Sequence, residues 1–112
     1  MPNLAPSRCR DWSRDERAYV TRISTLCRLG TRLELDCQCT DEGDPWCIVY
    51  DRFLDRVVLH LARIDRRYVI AFPRQQRSET RASMAAICEI AVNEIDCIYH
   101  PTINTGQAFA AG

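Results

Sequence analysis

At 112 residues the chain has room for one domain, large enough to bury roughly two-thirds of its unfolded surface, and 46% apolar with 27% charged residues is the balance of an ordinary globule. Fifteen cations cancel fifteen carboxylates, so no global field draws the molecule onto nucleic acid or an anionic membrane, and neither is expected as a partner. Every cation is Arg and none is Lys, which excludes a lysine Schiff base, a P-loop lysine and a lysine general base.

Residues 1–12 carry Pro2 and Pro6 and no periodicity, so they read as a flexible lead-in. They contain no apolar run of the secretory kind, and nowhere does the sequence approach the roughly 18 consecutive apolar residues of a membrane span. A cytoplasmic protein is expected. Ser13-Arg14-Asp15-Glu16 matches a capping box, in which Ser13 takes the Glu16 amide proton and Glu16 reaches back to the amide of Ser13. Tyr19, Ile23, Leu26 and Cys27 then recur at helical spacing, and Gly30 suits a left-handed stop, so the first helix is expected over 14–29.

From Thr31 to Phe72 the pattern changes to that of an antiparallel meander. Arg32 to Cys39 alternates strictly, with Leu33, Leu35, Cys37 and Cys39 on one side and Arg32, Glu34, Asp36 and Gln38 on the other, which is a strand dry on one face and wet on the other. Gly43 and Pro45 break it, because glycine permits positive φ and proline cannot donate to a ladder. Trp46–Tyr50 is the next strand and 51–55 a second turn. Val57–Ile64 is apolar on both faces and belongs mid-sheet. Asp65-Arg66 is a two-residue hairpin loop of open turn type, and Tyr68–Phe72 returns before Pro73 ends the ladder. Residues 73–77 form a basic connector, and Ser78 caps a second helix with a stripe of Met84, Ile87, Cys88, Ala91, Ile95 and Ile98, limited by Pro101. Residues 101–112 are expected to be a disordered tail.

Helix, strands and helix with short connections imply an α+β fold over 13–100, a four-stranded antiparallel meander flanked by an N-terminal and a C-terminal helix, both packed on one sheet face. The central strand is expected to turn Val57, Leu59 and Leu61 to one face and Val58, Ala62 and Ile64 to the other. Two helices cannot cover both, so a homodimer through the second face is expected.

Seven cysteines are many, but the number is odd and the expected compartment reducing, which argues against a disulfide framework. Cys37, Cys39 and Cys47 flank the Gly43/Pro45 turn and are the candidate metal ligands, for zinc or an iron–sulfur cluster, with Cys9, Cys27 or Cys97 as a fourth. Strand residues two apart sit roughly 6–7 Å from each other, whereas thiolates on one zinc lie roughly 3.8 Å apart. The strand must bend near Cys39 for that reading; otherwise Cys37 and Cys39 continue an apolar row and no cofactor is needed. Asp36, Asp41, Glu42 and Asp44 lack the spacing of a calcium loop and read as a solvated turn. Arg63, Arg66, Arg67, Arg74, Arg77 and Arg81 surround the last hairpin and the start of the second helix, a candidate surface for a phosphate or an acidic partner protein. His60 and His100 have no local context tying them to a thiol or hydroxyl, so no catalytic residue is assigned.

The run Cys39-Thr40-Asp41-Glu42-Gly43-Asp44-Pro45-Trp46, followed by Val57 to Ile70, resembles a segment of short uncharacterised proteins of GC-rich bacteria, over residues 39–71. The resemblance implies a bacterial, cytoplasmic origin and marks the Gly43/Pro45 turn and the Asp65 hairpin as fixed features of one fold; it carries no activity and no site. The function expected from the residues is a small non-enzymatic protein-binding or regulatory module acting through a sheet face or the Arg-rich edge. The alternative is a thiol-based metal or iron–sulfur sensor that modulates a signalling kinase or transcription regulator; a thiol-dependent enzyme ranks third.

Overall fold

A computed structural model describes residues 12–40 and 43–101. Helix α1 (Arg14–Arg28) starts at the capping box read from the sequence. Ser13 Oγ accepts from the Glu16 amide at 3.2 Å, and Glu16 Oε1 accepts from the Ser13 amide at 2.8 Å. Trp12, assigned above to the lead-in, is only 1% exposed and belongs to the core. Residues 1–11 and 102–112 lie outside the described residues, and with them the expected lead-in and nearly all of the expected tail.

Gly30 follows α1 for a reason other than the one expected. The helix closes with Leu29 in the ordinary right-handed region, and among the described glycines only Gly43 has positive φ, at 90°. Space is what Gly30 supplies, since a Cβ there would lie 2.8 Å from Tyr99 Cε1. The Tyr99 hydroxyl is held on both sides, donating to the Cys27 carbonyl at 2.7 Å and accepting from the Leu33 amide at 3.2 Å. One aromatic ring thereby ties the C-terminal end of the last helix to the passage from α1 into the sheet.

The sheet has five antiparallel strands rather than four: β1 (Leu33–Cys39), β2 (Pro45–Asp51), β3 (Arg56–Ile64), β4 (Arg67–Phe72) and β5 (Arg77–Arg81), lying side by side in chain order. The expected connector and helix cap at 73–78 instead form a 3-10 turn (Pro73–Gln75), a left-handed Gln76 with φ 50°, and the added strand β5. The second helix, α2 (Met84–Tyr99), is capped by Ser83, whose Oγ accepts from the Ala86 amide at 3.2 Å. The Asp65-Arg66 loop has φ of 52° and 64°, the doubly positive geometry of a type I′ turn, whose twist matches the strands it joins. An arginine rather than a glycine in that conformation costs on the order of 1 kcal/mol.

Register fixes the two faces. Leu33, Leu35, Cys37 and Cys39 stand opposite Asp51, Val49, Cys47 and Pro45, and Val49 and Cys47 stand opposite Leu59 and Leu61. Leu33, Cys47, Val49, Leu59, Leu61, Ile70 and Phe72 from this row share one buried cluster with Val20, Ile23 and Cys27 of α1 and Met84, Ile87, Cys88, Ala91 and Ile95 of α2. Each large side chain so buried contributes about 1.5–3 kcal/mol. A bulge between Val49 and Tyr50 advances the pairing by one residue, which exchanges the faces expected for two valines. Val57 pairs with Tyr50 on the far side, and Val58 packs against the core.

Candidate functional site

Of the three thiols placed together by the sequence, the register brings two side by side and sets the third one step further along the row. Cys37 stands opposite Cys47, and Cys39 opposite Pro45. Cys39 lies a two-residue step along β1 from Cys37, roughly 6–7 Å by the strand rise. Among the described residues no group of three or more His, Cys, Asp or Glu could hold a metal ion. Cys9 lies outside the described residues. Cys27 and Cys88 are buried in the helix layer. Burial pushes the Cys27 thiol up to about 11; it also raises Cys88, against the opposing pull of the Arg22 guanidinium. At neutral pH iodoacetamide is therefore expected to modify exposed Cys97 in the folded protein and to reach Cys27 and Cys88 only in denaturant. Peptide mass mapping checks this, and native labelling of Cys27 as fast as Cys97 would contradict it.

The Arg group divides into three places. Arg63 faces inward, where Glu16, 6% exposed, takes its Nη1 at 2.5 Å on Oε1 and the Tyr68 hydroxyl at 2.5 Å on Oε2. This node docks the first turn of α1 onto β3 and β4. Burial alone raises the Glu16 carboxyl, but the hydrogen bonds from Tyr68 and Ser13 and the charge of Arg63 outweigh it and hold the carboxyl below its ordinary value. Burial and the bond to Glu16 push the Tyr68 phenol up to about 12. Arg66 and Arg67 are exposed at the β3–β4 turn, and Arg81 pairs in register with Tyr68 at that same end. Arg74 and Arg77 lie at the other end, past Phe72, with the Arg77 guanidinium 4.1 Å from the Phe72 ring centroid. On β5, Glu79 joins Arg77 at 3.4 Å and Arg81 at 2.6 Å. Glu79 thus interrupts the run of positive charge along that rim.

The sheet face away from the buried cluster carries a run of apolar side chains. Trp46, Ile48 and Tyr50 of β2, Val57, His60, Ala62 and Ile64 of β3, and Val69 and Ala71 of β4 share it by register. Apart from Ile64, which is exposed, they are half-buried. Trp46 and His60 stack with ring centroids 6.3 Å apart and planes at 19°. They line a groove of about 350 Å³ together with Pro45, Ala62 and Ile64. A second depression of about 300 Å³ runs from Ile48, Tyr50 and Val57 to the acidic pair Glu34 and Asp36 on β1. His60 is separated by the sheet from Cys37 and Cys47, which lie on the core row. Glu34, Asp36 and Gln38 form one margin of the strip, Ser78 and Thr80 the other, and Arg67 stands near the second margin.

Sequence reading passed over Arg32 and Arg56. The consecutive register pairs Leu33↔Asp51 and Asp51↔Arg56 bring them to one corner of the sheet. There Asp51, 2% exposed, accepts Arg32 Nε and Nη2, each at 2.9 Å, on Oδ2. Its Oδ1 takes the amides of Phe53 and Leu54 at 2.9 and 3.1 Å. The alternation of β1 had assigned Arg32 to the wet face; it lies one residue before the strand and is not bound by that alternation. Among the described residues no helix is long and apolar enough to cross a membrane. No protein-family model, no curated protein and no solved structure matches the chain.

Proposed function

We propose that the chain is a non-enzymatic protein-binding module and that the outer face of its sheet is the surface it uses. In this reading both helices pack over the inward row, leaving the outer row for a partner. The observation that carries it is the unbroken strip from Trp46 and Ile48 through His60 and Ala62 to Val69, apolar at its centre and margined by polar strands. A stable monomer gains nothing from a large apolar patch with a polar rim, whereas an interface requires both.

A second copy of the chain is the first partner to test. A two-fold axis parallel to the strands stacks β1 of one copy over the β5 margin of the other, setting Asp36 and Gln38 level with Ser78 and Thr80 so that polar margins meet. Light scattering over a concentration series is expected to show a species of twice 12.9 kDa. Ile48→Glu, which buries a carboxylate in the centre of that interface, is expected to weaken association by at least about tenfold. A 12.9 kDa species at every concentration overturns self-association. A different partner protein held equally well by the wild-type and Ile48→Glu chains overturns use of this face altogether.

A further inference from the structure

We propose that the cleft between the β2–β3 turn, the 3-10 turn and α2 binds a small ligand bearing an oxyanion, carboxylate or phosphate, on an apolar body. The cleft has a volume of about 230 Å³, with Arg32, Arg56 and Arg74 on its walls and Leu54, Val58 and Ile98 supplying the apolar part of the lining.

Two carboxylates reach the same walls, and both are already engaged. Asp51 spends one oxygen on Arg32 and the other on two backbone amides. Glu94 is held by Gln75 Nε2 at 3.0 Å and stands 3.8 Å from Arg77. Arg56 and Arg74 have no carboxylate partner among the described residues. Arg32 is fixed in place by its two bonds to Asp51 and by the Phe53 ring, whose centroid is 5.6 Å from its guanidinium carbon. The cleft therefore presents two uncommitted planar forks beside a third that is already immobilised, and a bidentate oxyanion is the group such forks match. Apolar side chains beside them lower the local dielectric and strengthen the attraction. A ligand that fills this space is smaller than the drug-sized molecules held in pockets of roughly 300–1,000 Å³. Because the cleft opens on the helix side of the sheet, its occupancy is independent of the docking surface proposed above.

Isothermal titration calorimetry on the full chain, with phenyl phosphate, benzoate and inorganic phosphate as probes, tests the assignment. Saturable one-to-one binding is expected, tighter for one of the two aromatic anions than for inorganic phosphate. The tighter of phenyl phosphate and benzoate identifies the oxyanion. Arg56→Gln combined with Arg74→Gln is expected to weaken that binding by about tenfold or more, and Arg66→Gln with Arg67→Gln, at the other end of the sheet, to leave it unchanged. If the first pair does not fold, Arg74→Gln alone decides, since that side chain is exposed on a turn. Absence of saturation with every probe, equal weakening by both pairs, or unchanged affinity in Arg74→Gln overturns the site. Equal affinity for inorganic phosphate and the aromatic anions overturns the apolar body.

Discussion

Glu16→Ala is expected to destabilise the fold by about 2–4 kcal/mol, with Arg63 left near the sheet without its carboxylate and Tyr68 without its acceptor. The Arg63 side chain is 29% exposed, so water relieves part of the loss and the lower half of that range applies first. In a domain of this size the thermal midpoint should fall by about 10 °C or more. Glu16→Gln separates the contributions: glutamine can still serve the capping box, so what it loses is the charge. The pH dependence has a definite sign. Since the carboxyl is held below its ordinary 4.5 in the folded protein, the unfolded chain takes up the proton first. The stability it confers is complete above that ordinary value and drains away as the pH falls through the folded-state value. Glu16→Gln should lack that share of acid sensitivity. At the alkaline end Tyr68 ionises at about 12 in the fold against an ordinary 10.0, so its contribution is whole below pH 10.0 and lost as the pH approaches 12. Urea midpoints of wild type and Glu16→Gln that fall in parallel through the acid range would refute the assigned role of Glu16.

The second large effect is expected at Gly30. Adding one methyl group in Gly30→Ala drives a Cβ to 2.8 Å from Tyr99 Cε1 and 3.1 Å from Cζ. The ring can retreat only by giving up its bonds to the Cys27 carbonyl and the Leu33 amide, and a loss of about 1–3 kcal/mol follows from such overpacking. A double-mutant cycle with Tyr99→Ala isolates the clash. Gly30→Ala should cost much less once the ring is gone. An undiminished cost in that background would show that the backbone at Gly30, and not the ring, demands glycine.

Much of the architecture was legible because local chemistry and tertiary context agree. Ser13 and Glu16 announced α1 through a motif whose bonds close within four residues, and the alternation from Leu33 to Cys39 set a face that its partners in β2 then bury. β5 was not legible. Arg77-Ser78-Glu79-Thr80-Arg81 contains no apolar residue to reveal a period of two, because its inward row is made of ion pairs at a sheet edge instead of buried hydrocarbon. Gln76 gives no warning that it will adopt the left-handed conformation that turns the chain into that strand. The valine exchange in β3 was hidden for a related reason: a bulge inserts one residue without a sequence mark when both neighbours are valine. At the level of sites, arginines close in sequence were grouped, yet the fold separates them by the length of β4 and brings Arg32, Arg56 and Arg74 together across strands. Register pairs, not neighbours along the chain, make that corner.

The order of the strands also governs how the chain can find its shape. Each ribbon is bonded to the one that precedes or follows it along the polypeptide, so the layer can be zipped one short loop at a time, with little entropy spent on each closure. The meeting of α1 with α2, elements from opposite ends of the described chain, requires a search over most of its length. That late union turns a flat ribbon into a solid body.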